Sequence, residues 1–288
     1  MNFVDSIKVI KFISSYDKAR QEILLSLPLD FESSKSYPLV ISPHPFGWSN
    51  FENFAYGAAD LLQPFDGWSG ISNKYKVIVA LPLGHGRIFN KISLGWEGQI
   101  KDLVSIPEIL ENTSIKIEEN KIYICGLSMG GMETLTTLGM YPGIFKAGFS
   151  FNGIADLKSW YSDIINGKTD KKLLDIQADK PIIEEVGGKP IECLEEYGKR
   201  SAVSYVGNLT KSNLMIYWSS KDSIVVNQEL NQSKKLFDLI KAKNPNSQVY
   251  EHDHSYDHGF DNFDAEECIK CHEYSDFELA IKWFLSNY

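Results

Sequence analysis

A chain of 288 residues with 43% hydrophobic and 23% charged side chains is long enough for one full core and has the composition of an ordinary globular protein. It carries 38 acidic against 29 basic residues, a net charge of −9 without any basic patch interleaved with aromatics, which excludes nucleic acid and an anionic membrane as expected partners. Four cysteines are too few for a disulfide scaffold, no run is long enough to span a bilayer, and the first ten residues lack a signal peptide's basic start and apolar core, so a cytoplasmic location is expected.

Residues 7–13 and 20–27 read as two partly alternating strands, each with a wet face. A polar turn leads to a continuous apolar run over 37–42, the pattern of a buried parallel strand, which ends in Pro43-His44-Pro45-Phe46-Gly47-Trp48. Ligands collect at the C-terminal ends of such strands. A helix is predicted over 50–63, another buried strand over 76–82, and a helix over 96–110 with Ile100, Leu103, Ile106 and Leu110 on one side. His85, on the loop after 76–82, reads either as a surface residue or as a substrate contact. His44 reads as a brace for its own loop.

The strongest signal follows. Ile122-Tyr123-Ile124-Cys125 runs straight into Gly126-Leu127-Ser128-Met129-Gly130-Gly131, and helical spacing of apolar residues then continues to Met140. Strand, tight turn and helix are the context in which a G-x-S-x-G string presents a nucleophilic serine. Side chains two residues either side of Ser128 would collide in so sharp a turn, and glycines at 126 and 130 remove them. The competing reading is a plain glycine-rich turn without chemistry. Cys125, inside the apolar run, reads as a small buried hydrophobe.

Beyond it, 145–153 reads as a strand, 214–218 as a strand, 228–242 as a helix, 248–252 as a strand and 277–286 as a closing helix. Strands alternating with helices predict a doubly wound, mostly parallel sheet with helices on both faces. Residues 155–208 break the rhythm: they are charged, helical in character and interrupted at Gly187-Gly188-Lys189-Pro190. The expectation is one domain over 1–288 with 155–208 as a helical cap whose charges mostly face water.

A serine hydroxyl needs a base to take its proton, and the base needs an orienting carboxylate. Folds built around this elbow supply them later in the chain, acid first. The strand at 214–218 ends in Ser219-Ser220-Lys221-Asp222, and the strand at 248–252 ends in Asp253-His254-Ser255-Tyr256-Asp257-His258, so Ser128, Asp222 and His258 fall on one sheet edge. His254 is the competing base.

These segments also resemble a known family. Gly126-Leu-Ser128-Met-Gly130-Gly131 with Tyr141-Pro142-Gly143-Ile144-Phe145, the Ser219–Val225 segment and Asp257-His258-Gly259-Phe260 are similar to the catalytic domain of prolyl oligopeptidase-type α/β-hydrolases. Tyr197-Gly198-Lys199-Arg200-Ser201-Ala202 is similar to that family's Arg-Ser-Pro segment. The resemblance implies an α/β-hydrolase fold and the roles of nucleophile, acid and base for Ser128, Asp222 and His258. Two departures bear on substrate. A chain without the β-propeller that confines peptides in the large members is expected. Pro45 replaces a glycine of the usual His-Gly-Gly and has no N–H, so the expected oxyanion donors are the amides of Phe46 and Met129, an arrangement similar to small feruloyl-type esterases.

The expectation is therefore a serine hydrolase of small carboxylic esters, with a peptidase or aminoacyl-amide hydrolase as the alternative and a non-catalytic binding protein of this fold as a third reading. Phe46, Trp48, Trp96, Trp160 and Tyr161 could line an acyl or aromatic pocket, with Trp48, Trp160 and Tyr161 taken as the candidate substrate contacts; ordinary core is the alternative for each. No metal or organic cofactor is expected, because the triad and oxyanion donors supply every catalytic part. Cys268-Ile269-Lys270-Cys271-His272 matches a haem-attachment string and half a zinc site, and reads most simply as reduced thiols. Nothing in the sequence indicates an oligomeric state.

Overall fold

The central strands are rich in apolar residues because both of their faces are covered. The computed structural model describes residues 7–46, 68–89, 92–254, 257–258 and 276–288. Their strands are β1 (Ile7–Ile13), β2 (Arg20–Ser26), β3 (Ser36–Ile41), β4 (Ile78–Pro82), β5 (Lys116–Leu127), β6 (Ala147–Phe151), β7 (Leu214–Trp218) and β8 (Val249–Asp253). Side chains of a strand alternate in direction, and the alternation divides the core in two. Leu39, Ile41, Ile122 and Ile124 pack under α2 (Glu97–Glu111), α3 (Met129–Met140) and α9 (Ser233–Lys243). Val40, Tyr123, Cys125 and Leu127 pack under α1 (Trp68–Tyr75) and α10 (Asp276–Asn287).

The eight described strands form one sheet in the order β1-β2-β4-β3-β5-β6-β7-β8. The pairings β1/β2 and β2/β4 are antiparallel, and every pairing from β4 through β8 is parallel. This is the doubly wound sheet expected from the alternation of elements, and it is the α/β-hydrolase fold. Register aligns the strand ends that matter: Leu127 lies opposite Phe151, Phe151 opposite Tyr217, and Trp218 opposite Asp253. The residues that follow each strand therefore open on one edge.

Between β6 and β7 run α4 (Leu157–Ile165), α5 (Lys171–Asp175), α6 (Asp179–Val186), α7 (Leu194–Lys199), a 3₁₀ turn (Ala202–Tyr205) and α8 (Val206–Leu209). Leu157, Trp160, Ile164, Ile182 and Val186 join Met129 and Met132 of α3 in a third apolar cluster, which seats this insertion on the elbow helix. Most of the insertion's described charges face water as expected, and Glu185 is an exception. Its side chain is fully buried, 3.5 Å from the guanidinium of Arg200, and accepts the amides of Arg87 and Ile88 at 2.7 Å each. A buried carboxylate needs this many donors to offset its lost hydration.

Two further expectations change. The second half of β2 is buried on both faces, since β4 and its helices cover it. The helix read from 228 begins at Ser233, because Gln228 and Gln232 are buried and spend their amides elsewhere: Gln232 Oε1 accepts from the Ala155 and Asp156 amides at 2.9 Å. α1 has no counterpart among the elements the sequence predicts, and the helix expected over 50–63 lies outside the described residues. Among the described residues no helix is long and apolar enough to cross a membrane.

Candidate active site

Ser128 stands between β5 and α3 with φ 58° and ψ −116°, a conformation that costs a non-glycine residue roughly 1–3 kcal/mol and clusters at functional sites. The strain is held on both sides: Ser128 N donates to Phe151 O at 2.9 Å, and Met132 N donates to Ser128 O at 2.9 Å. The glycines act as the spacing demanded. A Cβ on Gly126 would lie 2.4 Å from the Gly130 carbonyl carbon, and one on Gly130 would lie 2.2 Å from Pro43 O. Two glycines thus bring β5, α3 and the loop after β3 into backbone contact, which sets the Phe46 segment beside the start of α3. Met129, first residue of α3, has by position no intrahelical acceptor for its N–H.

Asp222 lies on the loop after β7, its side chain fully buried. Oδ1 accepts the amides of Ile224 and Val225 at 3.0 and 2.8 Å, and Oδ2 accepts from Gln228 Nε2 at 3.0 Å. These bonds fix the carboxylate before the histidine arrives. His258 Nδ1 then sits 2.9 Å from Oδ2 and 2.8 Å from Oδ1. His254, the competing base, is turned elsewhere. Its Nε2 is 3.2 Å from Asn152 Oδ1 and its ring stacks on Tyr217 at 4.7 Å. The sheet edge therefore brings Asp222 to His258 and leaves His254 in the wall.

Around this edge the aromatic candidates separate. Trp160 meets Phe46 edge to face at 6.1 Å and donates Nε1 to Ile224 O at 3.0 Å, so it touches both the Phe46 loop and the acid loop. Tyr161 packs its ring on Tyr197 within the insertion, at 5.9 Å. Trp96, half-buried, packs edge to face on His85 and Tyr16. Trp48 lies outside the described residues, as do Cys268, Cys271 and His272. His44 Nδ1 is 2.8 Å from Pro45 O, the brace expected of it.

His85 is not the surface residue that its loop position suggests. It is buried between Asp102 and Asp17, with Nδ1 2.7 Å from the first and Nε2 3.0 Å from the second. Burial alone would lower its pKa, and the two carboxylates outweigh it and hold the ring above the usual histidine range. Glu133, on α3 behind the elbow, is wholly buried. Burial pushes it up to about 7 against the opposing bonds of Ser93, Gln99 and the Gly95 amide. Burial likewise pushes the Cys125 thiol far up, so that it behaves as the hydrophobe it was read to be.

Sequence reasoning missed Asn152, Ser223 and Asp257. Asn152 has φ 43° and donates Nδ2 to Asp257 O at 3.3 Å. Asp257 accepts from Ser223 N at 2.6 Å and Ser223 Oγ at 2.9 Å. Ser223 and Asp257 carried a signal, since each adjoins a site residue within a motif segment, whereas Asn152 adjoins none.

Against known proteins, the model of the prolyl oligopeptidase family matches residues 84–280. No curated protein matches the chain. Among solved structures, an acylaminoacyl peptidase bound to Z-Gly-Gly-Phe-chloromethyl ketone is 18% identical with a TM-score of 0.65, over 97% of this chain and 41% of its own. Porphyromonas gingivalis dipeptidyl peptidase 4 is 18% identical with a TM-score of 0.64, over 98% of this chain and 35% of its own. The chain thus spans well under half the length of these two peptidases. The Staphylococcus aureus fluorophosphonate-binding serine hydrolase FphF is 12% identical with a TM-score of 0.60, over 96% of this chain and 97% of its own.

Proposed function

The chain belongs to the prolyl oligopeptidase family, and on that premise we propose that it is a serine hydrolase cleaving carboxylic acyl bonds through an acyl-enzyme. The observation that carries this reading is a strained Ser128 on a glycine-cleared strand-to-helix turn, on the same sheet edge as a buried Asp222 bonded to His258.

Ser128 Oγ attacks the acyl carbonyl while His258 Nε2 takes its proton, and Asp222 holds the other ring nitrogen and the imidazolium charge. The Met129 and Phe46 amides receive the oxyanion, each donor contributing on the order of 100-fold or more. The imidazolium returns the proton to the leaving group as the tetrahedral intermediate collapses. Water then repeats the sequence on the acyl-enzyme and frees Ser128. Every proton stays between Ser128, His258, leaving group and water, so this chemistry asks nothing of a metal or cofactor.

For substrate we propose a small carboxylic ester. Phe46 and Trp160 support it, because their edge-to-face pair forms an apolar wall beside the proposed oxyanion donor and suits an apolar acyl group. The family match and the peptidase neighbours favour a second reading, cleavage of aminoacyl amides by the same triad. In this role the 155–208 insertion is a cap over the acyl site. The test is a parallel screen of p-nitrophenyl esters of graded chain length, feruloyl esters and aminoacyl amides, with Ser128→Ala as control. Faster turnover of amides than of any ester reverses the order of the two substrate readings.

A further inference from the structure

Acid and histidine loops are joined twice. On the acid loop Asp222 is followed by Ser223, and on the histidine loop Asp257 is followed by His258. Asp222 takes the imidazole of His258, while Asp257 takes Ser223: Oδ1 accepts the Ser223 amide at 2.6 Å and Oδ2 accepts the Ser223 hydroxyl at 2.9 Å. The same Asp257 Oδ1 accepts the backbone N–H of His258 at 2.7 Å. Each loop thus supplies one carboxylate to the residue beside the other loop's carboxylate, and the two links cross.

Both sides of this clamp are anchored. Asn152, at the end of β6, donates to Asp257 O at 3.3 Å and faces His254 at 3.2 Å. On the acid loop, Ser223 O accepts the Asp170 amide at 2.7 Å, and Ile224 O accepts Trp160 Nε1 at 3.0 Å, so the insertion holds the loop that Asp257 grips. Hydrogen bonds from N–H groups to a carboxylate are among the stronger ones available. The bond from Asp222 orients the His258 ring, but it cannot fix where that ring stands if the backbone beneath it drifts. A misplacement of about 1 Å costs a reacting pair on the order of 100-fold.

We propose that Asp257 is a positioning residue: through Ser223 and the His258 amide it locks the histidine loop to the acid loop and holds His258 at its working distance. The inference rests on the reading of Ser128, Asp222 and His258 as the triad.

Three variants test it in the full chain: Asp257→Ala removes both carboxylate oxygens, Asp257→Asn keeps the shape and one oxygen, and Ser223→Ala removes only the hydroxyl arm. Turnover of a p-nitrophenyl ester is measured per active site titrated with a fluorophosphonate, alongside thermal unfolding. Asp257→Ala should lower kcat per titrated site on the order of 100-fold with KM within about twofold. Asp257→Asn should recover most of that loss, and Ser223→Ala should lose several-fold. A merely structural role would reduce the titratable fraction or the melting temperature and leave kcat per site alone, and that result overturns the proposal. Should Asp257→Ala fail to fold, wild-type kcat per site in both milder variants overturns it equally. Wild-type protein that takes no label at Ser128 would instead reject the triad reading on which the proposal stands.

Discussion

Gly130→Ala should damage catalysis and stability together, and its geometry says by how much. The added methyl would lie 2.2 Å from Pro43 O, 3.0 Å from Pro43 C and 3.2 Å from His44 O. A carbon–oxygen contact needs about 3.3 Å, so something must retreat by about 1 Å. The helix side cannot yield easily, because Gly126 already sits against Gly130 and Ser128 is bonded to β6. β3 is paired on both sides, to β4 and β5. The displacement therefore falls on residues 43–46, which carry the proposed Phe46 donor. Overpacking of this kind costs about 1–3 kcal/mol, and an oxyanion donor moved by about 1 Å costs up to about 100-fold in kcat. Urea unfolding and ester turnover per titrated site read the two effects. Gly198→Ala is the control, since the nearest atom to its added methyl is Ser204 Oγ at 3.8 Å. A Gly130→Ala protein with wild-type stability and kcat would refute the packing argument.

Four other outcomes follow from the same structure. Glu133 has its pKa raised by burial to about 7, above the ordinary 4.5 of a glutamate, so its stabilising contribution is complete below about 4.5 and is lost as pH rises through about 7. Glu133→Gln should flatten that fall, worth on the order of 3 kcal/mol, in unfolding curves taken from pH 4 to 8; parallel curves for the two proteins would contradict it. Glu185→Ala removes the carboxylate beside the buried Arg200 guanidinium, which keeps the Ser93 and Glu185 backbone carbonyls, and leaves the Arg87 and Ile88 amides without their acceptor; it should cost about 3–5 kcal/mol in urea unfolding. Trp160→Ala should raise KM for long or aromatic esters while leaving acetyl ester turnover within about twofold, a split that steady-state kinetics resolves. Removing metal with EDTA should leave ester turnover unchanged, and activity restored only by zinc would refute the metal-free mechanism.

Much of this architecture is visible in the sequence where one physical cause dominates. β4, the last residues of β3 and the 122–127 half of β5 read as buried strands because both faces are covered and apolar residues run unbroken or nearly so through them. The elbow reads from glycine spacing, since steric exclusion leaves few other residues at 126 and 130. Asp222 and His258 were placed by the strand ends before them, and parallel register carried both to one edge. What escaped was decided by partners far away in the chain. Glu185 and Arg200 look like solvent charges until 87–89 folds against them. His85 looks like a loop surface residue until Asp17 and Asp102 close on it. Gln228 and Gln232 extend a helical pattern on paper, yet tertiary hydrogen bonds claim their side chains and the helix starts later. Asp257 and Ser223 sit beside site residues and pair with each other across 34 positions, a distance over which sequence pattern has no reach.

The central claim, that Ser128 is a nucleophile activated by His258 and Asp222, is tested most directly by covalent labelling. Intact mass spectrometry after treatment with a fluorophosphonate, followed by peptide mapping, should find a single adduct on Ser128. Ser128→Ala should take no label and lose ester turnover by up to about a millionfold, while His258→Ala should label far more slowly than wild type. An unlabelled wild-type protein, an adduct on another residue, or a Ser128→Ala variant that still turns over ester would contradict the account.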